Sequence, residues 1–100
     1  MAVEVMVEYE VEAGMEAEAD AVRAAFLKAV AEWDPDRFTY RVLSKGGEGR
    51  AYVHLAWLDS PETQQRLFET EFFKAFDDGM RRISGGSVNA TPLVEWSPST

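Results

Sequence analysis

The chain has 100 residues, no cysteine, one histidine and 46% hydrophobic residues, the size and composition of a single folded domain. The missing cysteines exclude disulfides, thiolate metal sites and cysteine nucleophiles. Ten Lys and Arg against 18 Asp and Glu give a net charge of −8, a field that opposes phosphate backbones and argues against a nucleic-acid partner.

Val3, Val5, Val7, Tyr9 and Val11 alternate with Glu4, Met6, Glu8, Glu10 and Glu12, which predicts a strand with one apolar face, ended by Gly14. Ala19, Val22, Phe26, Ala29, Val30 and Trp33 then recur at helical spacing, with Arg23 and Lys28 elsewhere on the wheel. Glu16, Glu18 and Asp20 suit the positive end of the helix dipole, and Asp34-Pro35-Asp36 stops the helix. A second strand is expected over about Phe38–Ser44 and a third over about Arg50–Leu58. The glycines at 46, 47 and 49 between them form a hairpin loop. No helix starts after them and no Lys-Ser/Thr pair follows, so they are not a phosphate cradle.

Asp59-Ser60-Pro61-Glu62 supplies a capping residue, a proline at the first helical position and an acid in the first turn. One second helix is expected from there, carrying Leu67, Phe68, Phe72, Phe73, Phe76, Met80 and Ile83 inward. Arg81 and Arg82 lie in its last turn and Gly85-Gly86 past its end. A last strand is expected over about Val88–Trp96. Residues 1–96 should form one domain and 97–100 a frayed tail. The start of the chain has neither the basic nor the apolar stretch of a signal peptide, and no run approaches ~20 apolar residues. A cytoplasmic protein without a membrane span is therefore expected.

The order β-α-β-β-α-β specifies a ferredoxin-like α+β fold: a four-stranded antiparallel sheet, order 4-1-3-2, with two helices on one face. Strands two and four are then edges, which suits Pro92 in the last strand and Arg37, Arg41 and Lys45 near the second. On strand one the odd residues should face the helices. On strand three Val53, Leu55 and Trp57 are the more apolar set, which sends Tyr52, His54, Ala56 and Leu58 to the uncovered face. That half-apolar face is the expected surface of a homodimer.

His54 is the one side chain that titrates near neutrality, a candidate base toward a phenol or quinol. Its expected place on the uncovered face would instead pair it with Glu4 or Glu8 in the interface. Trp57 is a candidate stacking platform for a flat substrate or a core residue. Phe68, Phe72 and Phe76, with Phe73, make an aromatic band suited to lining an apolar cavity, and Tyr40 and Tyr52 are candidate donors to a ligand oxygen. Glu4, Glu8 and Glu10 recur at about 6–7 Å along a strand, too loose with His54 for one ion, so no metal site is expected.

Tyr52-Val53-His54-Leu55-Ala56-Trp57-Leu58-Asp59, followed by Glu71-Phe72-Phe73-Lys74-Ala75-Phe76, resembles the antibiotic biosynthesis monooxygenase family. The resemblance implies a dimeric α+β barrel, two ferredoxin-like units paired sheet to sheet, each with a pocket between sheet and helices. It implies oxygenation of aromatic or quinol-like compounds with no metal or flavin cofactor; other members degrade haem. Of the family's pocket residues only Trp57 is kept; if the chain is catalytic, the residues read here as carrying the chemistry are His54 or Tyr40, with Trp57, Phe68, Phe72 and Phe76 holding a small aromatic ligand. The sequence departs from the family at Val53, Leu55, near Leu67 and at Phe72, where members carry polar pocket groups. Those departures count against haem degradation and against a standard monooxygenase mechanism, and leave two other readings, a non-catalytic small-molecule binder and a purely structural homodimer.

Overall fold

The computed structural model describes residues 1–47 and 49–96. Its elements are β1 (Val3–Glu10), α1 (Glu16–Glu32), β2 (Phe38–Ser44), β3 (Ala51–Leu58), α2 (Pro61–Phe68), α3 (Glu71–Ser84) and β4 (Asn89–Leu93). A short 3-10 turn, Lys45–Gly47, joins β2 to β3. The four strands form one antiparallel sheet in the order β2-β3-β1-β4, which is the expected 4-1-3-2 sheet. β2 and β4 are its edges, and Pro92 lies on β4 where a missing N–H costs no interior ladder bond. The tail expected at 97–100 lies outside the described residues, and β1 and β4 are shorter than their apolar patterns.

The second helical stretch is two helices, not one. Ser60 caps α2 by accepting from the Thr63 N–H, with Pro61 next to it, and Thr70 caps α3 by accepting from the Phe73 N–H. The break at Glu69-Thr70 carries neither glycine nor proline; the Thr70 hydroxyl, which also donates to the Leu67 carbonyl, satisfies both helix ends at once. Gly85, at φ 61°, closes α3 in the left-handed conformation that glycine adopts without a Cβ penalty. Gly79 has a different use. A Cβ there would lie 2.9 Å from a Val22 methyl, so its bare backbone lets α3 press onto α1.

Cross-strand register decides which residues share a face. Val7 pairs with His54 and Tyr9 with Tyr52, while Val42 also pairs with His54. The odd residues of β1 do face the helices, so the even residues of β3 must face them too. The expected phase of β3 is therefore inverted. His54 and Leu58 are buried beneath the helices, and Val53, Leu55 and Trp57 lie on the uncovered face. The core is Tyr9, Val11, Ala19, Phe26, Val30, Phe38, Leu58, Leu67, Phe76, Met80 and Ile83. Arg23, placed by the helical wheel off the apolar stripe, is also buried, at 8% exposure.

Candidate active site

Three strands bring Tyr9, Tyr40, Tyr52 and His54 onto the covered face of the sheet, and α1 lays Arg23 across them. β3 runs between β1 and β2, so His54 has Tyr9 as a diagonal neighbour on one side and Tyr40 on the other, within reach of long aromatic side chains. The Tyr9 hydroxyl is 2.8 Å from His54 Nε2 and the Tyr40 hydroxyl 2.6 Å from His54 Nδ1. Arg23 Nη1 donates to the Tyr9 oxygen at 3.1 Å, and Nη2 is paired with Asp20. The Arg23 guanidinium stands 4.1 Å over the Tyr52 ring, which stacks on Tyr9 at 5.7 Å. A polar chain thus runs Asp20–Arg23–Tyr9–His54–Tyr40 through the apolar interior.

A guanidinium has only donors, so the Tyr9 oxygen accepts from Arg23. Each His54 tautomer then leaves one phenol proton without an acceptor in the chain: Nδ1–H leaves that of Tyr40, and Nε2–H that of Tyr9. Tyr9 is 4% exposed whereas Tyr40 borders a cavity, which favours Nδ1–H, with the Tyr9 O–H donating to Nε2 and the Tyr40 O–H free. Burial, with the Arg23 charge adding to it, lowers His54 to about 4, so the ring is neutral at pH 7. Burial pushes the Tyr40 phenol well up, and it also raises Tyr9 against the opposing pull of Arg23. The assembly is a donor that holds its protons, and the imidazole is a poor base.

Tyr40 borders a cavity of about 170 Å³ between the sheet and the α2–α3 pair. Val5, Val7, Leu67, Phe73, Phe76 and Met80 are among its apolar walls, and Gln64 and Asp77 are the other polar residues on it. An apolar cavity of roughly 150 Å³ holds one benzene ring, so this one suits a single-ring compound. On the far side of α3 an open groove of about 380 Å³ runs along α1, lined by Val22, Phe26, Phe72, Phe76 and several alanines.

The structure brings together Tyr40, His54, Phe68 and Phe76 of the expected set. Phe76 is buried and Phe68, 43% exposed, borders the same cavity. Phe72 belongs to the groove instead, against Phe26 and Trp33. Trp57 is on the opposite face of the sheet from the cavity, paired with Glu4 and Thr39. His54 is not at that face and bonds no glutamate; it is fully buried between two tyrosines. Val53 and Leu55 also lie on the uncovered face, and the polar groups at the cavity are Tyr40, Gln64 and Asp77. Sequence reasoning missed Tyr9 and Arg23. The signal for Arg23 was present: Ala19, Arg23, Phe26 and Val30 follow the 4-3-4 spacing of one buried stripe.

No protein-family model matches the sequence, and no curated protein matches it. Solved structures do match the fold. One, from Caulobacter crescentus CB15 and assigned by proposal as an antibiotic biosynthesis monooxygenase, has a TM-score of 0.81 at 20% identity over 96% of this chain and 91% of that one. SnoaB, a cofactor-independent oxygenase from Streptomyces nogalater, gives 0.77 at 18% identity over 96% and 94%. A dimeric ferredoxin-like protein of unknown function from Jannaschia sp. CCS1 gives 0.72 at 12% identity over 95% and 100%. The chain has the fold of the antibiotic biosynthesis monooxygenase structures, as its strand-three and helix segments led one to expect. Among the described residues no helix is long and apolar enough to cross a membrane.

Proposed function

We propose that this protein is a homodimeric monooxygenase of small aromatic, quinol-like compounds that works without metal or organic cofactor. The observation that carries the reading is Tyr40 on the wall of an apolar one-ring cavity, its hydroxyl backed by the His54–Tyr9–Arg23 chain. A phenolic or enolic oxygen bound there accepts from the Tyr40 O–H. The compound gives up its proton to solvent as it enters, and donation in the dry site stabilises the oxyanion. The electron-rich anion gives one electron to dioxygen, the two radicals combine to form a C–O bond, and the peroxide anion takes a proton back from solvent. The resulting hydroperoxide loses water to leave a carbonyl, so one oxygen atom enters the product and the other leaves as water. The likeness of fold to SnoaB supports this chemistry.

The test is oxygen uptake with a small single-ring hydroquinone, with ¹⁸O₂ tracing one atom to product. Tyr40→Phe is expected to lower kcat about 100-fold, the usual cost of one oxyanion donor, with little change in KM. An unchanged kcat would overturn the role of Tyr40. Saturable binding with no oxygen uptake would favour the non-catalytic binder, the second reading, which the weak basicity of His54 supports.

The homodimer reading rests on the uncovered sheet face, where Met6, Leu55, Val53 and Trp57 lie half-buried beside exposed Leu43 and Leu93. The Jannaschia structure of this fold is described as dimeric, which supports the same use. Met6 sits at the middle of that face, between Leu55 and Thr91. Met6→Lys would bury an unpaired charge in such an interface and is expected to weaken dimerisation at least tenfold in light scattering. An unchanged mass would move the interface elsewhere.

A further inference from the structure

Among the described residues, one side chain borders both the sheet-side cavity and the α1–α3 groove: Phe76. Its ring stacks on Phe26 at 3.8 Å on the groove side and lies 6.2 Å from Tyr40 and 5.9 Å from His54 on the sheet side. It therefore stands between 170 Å³ and 380 Å³ of space, with Phe26 backing part of it on the groove side. Apart, the inner cavity is below the roughly 300–1,000 Å³ of typical small-molecule sites; joined to the groove it falls within that range.

We propose that Phe76 sets the size limit of the ligand, and that the α1–α3 groove is a second subsite for an apolar substituent once that wall is reduced. This rests on the reading of the Tyr40 cavity as the ligand site. A phenol held at the Tyr40 hydroxyl meets the Phe76 ring, so a substituent directed at α3 has nowhere to go. Behind the ring the groove is apolar along Val22, Ala25, Phe26 and Phe72, and the charged residues on its lining, Glu18 and Arg82, are paired with each other at 3.2 Å. An uncharged alkyl or aryl extension fits that surface; a carboxylate does not, because Arg82 already has its partner.

The test is calorimetric titration of the wild type, Phe76→Leu and Phe76→Ala with phenol and with 2-, 3- and 4-butylphenol. Near-ultraviolet circular dichroism confirms folding, and Phe76→Leu carries the test if the alanine variant does not fold. The wild type is expected to bind phenol and to take every butyl isomer at least tenfold more weakly. In the variants at least one isomer should gain tenfold to a hundredfold over phenol, each buried methylene adding about fourfold. Phenol binding in all proteins with the same butyl-to-phenol ratio would overturn the wall and leave the cavity reading intact. No phenol binding to any folded protein would overturn the cavity reading and the wall with it.

Discussion

Phe76→Ala is expected to lose about 3–5 kcal/mol of stability in urea unfolding at fixed protein concentration, the cost of emptying a buried phenylalanine site. The ring is 8% exposed and is gripped on two sides, by Phe26 at 3.8 Å and by the Tyr40–His54 pair. Collapse cannot fill the gap, because α3 is already pressed onto α1 through Gly79 and Val22. Phe76→Leu keeps a branched apolar side chain in the same place and should lose less. Phe68→Ala is the control: that ring is 43% exposed and should cost well under half as much. A loss below 1 kcal/mol at Phe76 would mean that the helix layer rearranges around it, and the wall between the two spaces would then not exist as a fixed object.

The architecture was legible because the patterns that specify it are local. Alternation over Val3–Glu10, helical spacing from Ala19, Pro61 after Ser60, and Gly85 at the end of α3 each satisfy a backbone requirement within a few residues. The facing of β3 was not legible in that way. Ala51–Leu58 is apolar on both sides, so hydropathy within the strand favours Val53, Leu55 and Trp57 as the inner set. Pairing with β1 overrules it: a shift of one residue would turn every side chain over, and the pairing of Val7 with His54 fixes the opposite phase. A lone histidine looks costly to bury when taken alone. It becomes affordable only with Tyr9 and Tyr40 on neighbouring strands, 45 and 14 residues away in the chain. The same holds for Arg23, whose donors are met by Tyr9 and Asp20. The site is thus a product of register, and hydropathy alone assigns His54 to the uncovered face and Arg23 off the buried stripe.

That burial has a measurable consequence in acid. His54 sits at about 4 in the folded protein, held down first by burial and then by the Arg23 guanidinium, against 6.5 in the unfolded chain. Between those values the unfolded chain binds a proton that the native state refuses, so stability rises with pH across the interval. The contribution is full above pH 6.5, falls as the pH drops, and is spent near pH 4. Its size is roughly 3–4 kcal/mol, at about 1.4 kcal/mol for each pH unit separating the two values. Asp59, held low chiefly by the hydrogen bond from Thr63, titrates below this interval and adds its own loss in stronger acid. A difference between the wild type and a His54 variant isolates this contribution. Urea unfolding of the wild type and His54→Gln at pH 7, 5.5 and 4.5 should show a steep fall in the first and a flatter one in the second. Parallel profiles would mean that His54 takes up its proton inside the folded protein. The imidazole would then be a usable base near neutrality, and the chain from Arg23 to Tyr40 would act by removing the substrate's proton rather than by donating to its oxyanion.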